Sequence, residues 1–155
     1  MMSEYPQELL DSARDFSDTA LIVITRVGGE GADLPTDVTA VTYEENPGDF
    51  TEGQTLLELS KTEREMVDYV TSTYENVVVV YNSANAFELG WVEEYDNIGG
   101  VVTIAGPGQT GFNALGSVLN GTVNPSGRLV DTWVYDLTSI NNFNNIGDFR
   151  YTNME

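Results

Sequence analysis

TALIVIT, residues Thr19 to Thr25, is the segment that decides the fold this sequence predicts. It is a continuous apolar run of strand length, which is typical of a parallel strand whose two faces are both covered by helices. Two similar runs follow, at Val77–Tyr81 and Gly99–Ile104. Helical periodicity separates the runs. The sequence therefore predicts an α/β domain, a three-layer open sandwich with a mainly parallel sheet flanked by helices on both faces.

Periodicity and capping signals predict five further elements. They are a helix over Tyr5–Phe16, a helix that begins at the capping box Ser60-Lys61-Thr62-Glu63 and ends near Asn76, a short helical segment over Phe87–Tyr95, a helix after the turn at Gly106, and a last strand over Leu129–Val134.

The length and composition fit one domain. A chain of 155 residues with 41% hydrophobic residues is long enough to bury a core of its own. We assign residues 1–155 to a single α/β domain, with a long loop over residues 32–56 and an irregular tail over residues 138–155. Because the tail has no feature of a natural end, we expect it to run toward a missing part of a longer protein.

The charge and residue types exclude several classes of function. With 25 acidic and 6 basic residues the net charge is −19, so neither nucleic acid nor an anionic membrane is an expected partner. The absence of cysteine and histidine removes disulfides, thiol nucleophiles, imidazole bases and almost every zinc site, so no metal is expected. Neither a signal peptide nor an apolar run of spanning length is evident, and we expect a cytoplasmic protein, with an extracellular bacterial location as the alternative.

A candidate site follows the first predicted strand. Open α/β sheets build their sites beyond the carboxyl ends of their strands, where Gly28–Asp33 lies in this sequence. Within that segment, glycines flank Glu30 and leave its carboxylate with little steric cover. A solvated surface glutamate is the alternative explanation.

Two motifs resemble those of the second, C-terminal-type domain of glycoside hydrolase family 3, the β-glucosidase and β-xylosidase family. Thr25–Asp33 reads TRVGGEGAD and is similar to the family segment SRxSGEGxDR. Pro107–Thr132 is similar to PGQxxGxAxxxxLxGxxNPSGRLxxT, with matching order and spacing. The resemblance covers about Asp18–Trp133. It implies an α/β sandwich that takes part in the retaining hydrolysis of β-glucosides or β-xylosides without a cofactor.

The resemblance also implies roles for individual residues. Glu30 matches the general acid/base, and Arg26 and Asp33 match positions that bind substrate or orient the site. A bidentate pair of hydrogen bonds would suit Arg26 with Asp33. The family's nucleophilic aspartate belongs to a separate (β/α)-barrel domain of roughly 250 residues, which is longer than this chain. The domain is therefore expected to supply the acid/base and one wall of the sugar pocket to that barrel, and to be inactive or nearly so alone.

The second motif contains five residues for which a structural role is predicted, in the shape of two turns and an internal ion pair of Arg128, with a place at a domain interface as the alternative. They are Gly106, Gln109, Asn124, Gly127 and Arg128.

Two other interpretations of the function stay open at this stage. The turn GPGQTG matches the dinucleotide fingerprint G-x-G-x-x-G, with Asp131 about twenty residues on as the acidic partner of a ribose. A non-catalytic carbohydrate-binding or docking domain is the other. Four aromatic residues are candidates for stacking on a sugar: Phe50, Tyr43, Phe87 and Trp91.

Overall fold

A computed structural model of the protein describes residues 2–28, 30–31, 34–40 and 46–140. Its sheet has three strands, β1 (Thr19–Thr25), β2 (Asn76–Asn82) and β3 (Ile98–Thr103), in the order β1-β2-β3. Both neighbouring pairs are parallel. The predicted α/β sandwich with a parallel sheet is confirmed, and all three strands lie within a residue of their predicted bounds.

Three α-helices accompany the sheet, α1 (Gln7–Phe16), α2 (Lys61–Thr73) and α3 (Gly108–Leu119). The capping box that predicted α2 is present, because the Ser60 side chain accepts from the backbone N–H of Glu63 and the Glu63 side chain accepts from the backbone N–H of Ser60. The helical segment predicted over Phe87–Tyr95 is a short 3-10 helix, Gly90–Glu94. Three more 3-10 helices are Met2–Glu4, Val38–Ala40, within the predicted long loop, and Leu137–Ser139.

The core lies between the sheet and α2. Val67 of α2 packs with Ile22 and Ile24 of β1 and with Val79 of β2. Burial on both faces, which the apolar runs predicted, holds for the central strand, where the consecutive residues Val79 and Val80 are both buried. On β1 it holds for one face only.

The other face of β1 carries Leu21 and Val23, which are 50% and 55% exposed. Strand β1 is an edge strand of the sheet that the structure describes, with β2 as its neighbour on one side. Helices α1 and α3 have no buried residue, and the core cluster contains none of their side chains.

The strand predicted over Leu129–Val134 is wrong, because this segment has no strand conformation. Residues 120–132 are exposed throughout, and Val130 is 96% exposed. A strand requires hydrogen bonds from a neighbour, and the sheet of the described residues ends at β3.

The segment after residue 132 is held by side chains instead. The ring of Trp133 meets that of Tyr81 edge-on, with 5.6 Å between centroids. The hydroxyl of Tyr135 donates to the carboxylate of Glu93 over 2.7 Å, and the N–H of Leu137 donates to Glu88 over 3.1 Å.

The described chain has no helix with the length and apolar composition needed to cross a bilayer.

Glycine at position 90 allows this docking. A Cβ atom at Gly90 would lie 2.8 Å from the backbone oxygen of Tyr135, which is closer than carbon and oxygen normally approach. We therefore expect Gly90→Ala to destabilise the protein by about 1–3 kcal/mol, because a backbone group cannot move aside as a flexible side chain can. Urea unfolding followed by circular dichroism measures this change.

Gly100→Ala is the matched control, because a Cβ atom at Gly100 of β3 meets nothing within 4 Å. Alanine there reduces the entropy of the unfolded chain, so stability should be unchanged or slightly higher. Equal losses in the two variants would contradict the proposed contact between Gly90 and Tyr135.

Candidate functional site

The candidate site lies at the carboxyl ends of β1 and β2. The N–H of Arg26 donates to the carbonyl of Asn82 over 3.4 Å and extends the pairing of the two strands by one residue. Glu30 lies in a turn after this point and is exposed, as the sequence predicted. The carboxylate is therefore open to solvent at the edge of the sheet where α/β proteins bind their ligands.

Two glycines shape the backbone around Glu30. Gly31 has a φ of +73°, a conformation that glycine adopts without a steric penalty. At Gly28 the reason is close approach, since a Cβ atom there would lie 3.1 Å from the Cγ of Leu34 and 3.4 Å from the Oδ1 of Asn85. Gly28 thus lies directly against the loop that follows β2. Gly29 and Asp33 lie outside the described residues.

Arg26 is 9% exposed, and its five N–H donors are all used inside the domain. Its Nη1 donates to the carbonyl of Thr25 over 2.9 Å and to Oε1 of Glu63 over 2.7 Å. Its Nη2 donates to Oε2 of Glu63 over 2.6 Å and to the carbonyl of Glu58 over 3.0 Å, and its Nε donates to the carbonyl of Leu56. Arg26 thus orients its surroundings and has no donor left for a ligand.

The bidentate partner of Arg26 is Glu63, whereas the sequence predicts Asp33 for this role. Glu63 is the third residue of α2, and its Oε2 also accepts from the backbone N–H of Ser60 over 2.9 Å. The sequence marked Glu63 as a capping residue only. No local signal could have revealed the second role, because 37 positions separate Glu63 from Arg26.

The ring of Phe87 packs against the guanidinium of Arg26, and the ring of Tyr81 packs against that of Phe87. The Cζ of Arg26 lies 5.1 Å from the centroid of the Phe87 ring, in the range of a cation–π contact. The Phe87 ring in turn lies 4.8 Å from that of Tyr81. Both rings are buried, so Phe87 supports Arg26 and is not available to stack on a sugar.

The other aromatic candidates differ in their surroundings. Trp91 is buried in the core and is likewise unavailable to a ligand. Phe50 is half-buried and lines a cavity of about 460 Å³ beside the carboxyl end of β1. Tyr43 lies outside the described residues. The cavity has the size of a small-molecule site, and its lining includes Arg26, Asn46, Asp49 and Glu63.

Asp49 holds the first turn of α2 from the side of this cavity. Its Oδ1 accepts from the backbone N–H of Thr62 over 2.7 Å, and its carbonyl accepts from the backbone N–H of Lys61 over 2.9 Å. Partial burial disfavours the charged carboxylate, but hydrogen bonds from Thr62 and Ser60 and the charge of Lys61 outweigh that effect and lower the pKa of Asp49. The long loop is thereby tied to α2 most firmly when Asp49 is ionised.

The second motif lies apart from the contacts of Arg26. Gly106 and Gly108 have φ angles of +59° and +64°, and a Cβ atom at Gly111 would lie 2.6 Å from the Cβ of Pro107. Local backbone geometry therefore explains each glycine of the GPGQTG turn. A nucleotide-binding function is not needed to account for these glycines.

The other residues of this motif for which the sequence predicts a role are all exposed: Gln109, Asn124, Gly127 and Arg128. Arg128 forms no ion pair with any residue that the structure describes, so the internal pair expected for it is absent from that part of the chain. Asp131, the ribose partner of the nucleotide interpretation, is exposed as well.

Arg26→Lys tests the fork geometry, because lysine keeps the charge and loses the bidentate fit. We expect the free energy of unfolding to fall by about 2–3 kcal/mol. Arg14→Lys is the control, since Arg14 forms an ion pair with Asp11 at an exposed position and its substitution should cost no more than about 0.5 kcal/mol. Urea unfolding compares the two, and equal effects would contradict a structural role for the fork.

Asp49→Asn tests the electrostatics of α2. A carboxyl whose folded pKa is lowered adds stability above its unfolded pKa and loses that contribution as the pH falls through the folded pKa. The variant should therefore be less stable than the wild type at neutral pH and should approach it in strong acid. Asp15→Asn, at an exposed position of α1, controls for the change in net charge. Thermal unfolding from neutral to acid pH measures the difference, and a pH-independent difference would contradict the lowered pKa.

Comparison with known proteins identifies the family of this chain. Residues 4–154 match the model of the glycosyl hydrolase family 3 C-terminal domain. Beta-glucosidase A of Butyrivibrio fibrisolvens is 31% identical over 134 residues, which cover 83% of this chain and 16% of that protein. The beta-glucosidase of Ruminococcus albus is 29% identical over 140 residues, which cover 88% of this chain and 13% of that protein.

Solved structures give the same result. The crystal structure of a beta-glucosidase from Paenibacillus barengoltzii matches with a TM-score of 0.71 and 27% identity, over 92% of this chain and 14% of that one. Beta-D-glucoside glucohydrolase from Trichoderma reesei matches with a TM-score of 0.58 and 32% identity, over 81% and 16%. The chain spans less than a fifth of the length of these proteins. The chain belongs to glycosyl hydrolase family 3 and corresponds to the C-terminal domain of that family.

Proposed function

We propose that this domain supplies the general acid/base, Glu30, and one wall of the sugar pocket to a retaining β-glycosidase. The observation that carries the proposal is the exposed carboxyl of Glu30 in a turn that begins at the anchored Arg26. The substrate class is β-glucosides or β-xylosides, in keeping with relatives that are beta-glucosidases and a probable beta-D-xylosidase. The partner is a (β/α)-barrel domain outside this chain, which contributes the nucleophile.

The chemistry asks two tasks of one carboxyl group. In the first step it donates a proton to the departing glycosidic oxygen, while a carboxylate of the partner domain attacks the sugar and forms a covalent intermediate. In the second step the same group, now ionised, removes a proton from water as the water attacks that intermediate. Exposure of Glu30 fits both tasks, since the group must reach a sugar held by another domain.

Distance explains why two domains can share the site. The two carboxyl groups of a retaining glycosidase lie about 5–5.5 Å apart, so the acid/base must reach into the pocket of the domain that holds the nucleophile. A glutamate on an exposed turn at the sheet edge can do this, whereas a carboxylate within the core cannot. On this proposal the domain alone is inactive or nearly so.

The first experiment replaces Glu30 in the complete polypeptide that carries this domain and the barrel. Glu30→Ala should slow hydrolysis of an unactivated aryl β-glucoside about 10²–10⁴-fold, because a poor leaving group needs the proton. For an aryl β-glucoside with an activated leaving group, the first step should be slowed much less. Added azide should restore turnover of the activated substrate, because azide needs no general base to attack the covalent intermediate.

Glu75→Ala is the matched control. Glu75 is also an exposed glutamate, but it precedes β2 and so lies at the amino end of the sheet, away from the candidate site. Its loss should leave both rates unchanged. If Glu30→Ala hydrolyses both substrates at the wild-type rate, Glu30 is not the acid/base.

A second candidate function, non-catalytic carbohydrate binding, is favoured by the cavity lined by Phe50, Asn46 and Asp49. An aromatic ring beside polar side chains suits a sugar, which has both apolar faces and hydroxyl groups. This candidate predicts wild-type turnover after Glu30→Ala, so the same experiment separates the two.

A further inference from the structure

We infer that Glu63 is a positioning residue for this site, which acts through Arg26 to fix the base of the turn that carries Glu30. The inference rests on the proposed function, since it assigns a role in presenting the acid/base. It concerns a residue of α2, outside the turn, and among the described residues its hydrogen bonds to the segment that follows β1 all come from Arg26.

The first support is the convergence of chain segments on one ion pair. Arg26 directly follows β1, and Glu63 belongs to the first turn of α2. Their two parallel hydrogen bonds measure 2.6 and 2.7 Å. The guanidinium also binds the carbonyls of Leu56 and Glu58, which lie in the segment before α2. One ion pair therefore joins the end of β1, the loop before α2 and the helix.

The second support is the short path from this ion pair to the reacting group. Arg26 precedes Glu30 by four positions, and Gly28 between them lies against Leu34 and Asn85. Arg26 and Gly28 are both held by neighbouring segments, so the backbone that leads to Glu30 starts from two fixed points. A misplacement of about 1 Å in a catalytic group can cost roughly 100-fold in rate, so an anchor this close affects the proton transfer.

The third support is the use of both oxygens of Glu63. Oε2 accepts from Arg26 and from the N–H of Ser60, while Oε1 accepts from no described residue but Arg26. Glutamine at this position offers one accepting oxygen, and its NH₂ group would face a donor of Arg26. Glu63→Gln can therefore keep the bond from Ser60 and still break the two parallel bonds of the ion pair. Ser60→Ala does the reverse, because it removes the hydroxyl that binds the N–H of Glu63 and the carboxylate of Asp49, and leaves the ion pair.

These two variants separate anchoring from helix capping in the chain itself. Hydrogen exchange should show the amide of Arg26, which donates to the carbonyl of Asn82, exchanging at least about tenfold faster in Glu63→Gln than in Ser60→Ala. The buried amides of Val79 and Tyr81 in β2 report global stability and serve as the internal reference. Equal exchange of the Arg26 amide in both variants, relative to that reference, would overturn the inference.

The second readout is catalytic and uses the complete polypeptide. Glu63→Gln should lower kcat on the unactivated aryl β-glucoside about tenfold or more, with KM nearly unchanged and a smaller loss on the activated substrate. A merely structural role would lower both rates alike through loss of folded enzyme. The inference would be overturned if Glu63→Gln lost the same factor in rate on both substrates, or if its rates equalled those of Ser60→Ala.

Failure of the proposed function would look different. In that case Glu30→Ala itself retains the wild-type rate on both substrates, whatever Glu63→Gln does to hydrogen exchange. If Glu30→Ala loses the unactivated substrate while Glu63→Gln behaves as Ser60→Ala does, the acid/base assignment stands and only the positioning role of Glu63 is overturned.

Discussion

The ion pair between Arg26 and Glu63 is the interaction on which the candidate site depends. A buried guanidinium is costly to remove from water, and the cost is offset only when its donors are satisfied. Here two carboxylate oxygens and three carbonyls satisfy all five donors, with the ring of Phe87 beneath them. Because these partners belong to separate segments, the loop before α2, the helix and the end of β1 have to adopt compatible positions for the pair to form.

This constraint explains how Glu30, the proposed acid/base, can be exposed and still lie close to an ordered part of the domain. Glu30 itself makes no demand on the core, which suits a residue that is proposed to reach into the pocket of another domain. The order comes from Arg26 and from the close approach of Gly28 to the loop after β2. The second motif contributes differently, since its first glycines fix a turn and four of its predicted residues are exposed: Gln109, Asn124, Gly127 and Arg128.

Much of the fold was predictable because its signals are local. The three strands are continuous apolar runs, and α2 carries both halves of a capping box next to each other in sequence. The strand predicted over Leu129–Val134 failed because apolar β-branched residues favour a strand only where a neighbour supplies hydrogen bonds. The apolar run of β1 overstated its burial, because neither α1 nor α3 contributes a side chain to the core and the face with Leu21 and Val23 is exposed. Strand β2, which has neighbours on both sides, is buried as predicted.

The sequence by itself determined the parallel α/β sheet, the turn that carries Glu30 and the family to which both motifs point, since each depends on residues close together in the chain. Only the tertiary structure decided that Arg26 pairs with Glu63, that Phe87 supports the guanidinium, and that Phe50 faces a cavity. These contacts join residues tens of positions apart. Which partner a buried arginine finds is set by the packing of α2 and its preceding loop on the sheet, and no local pattern encodes that choice.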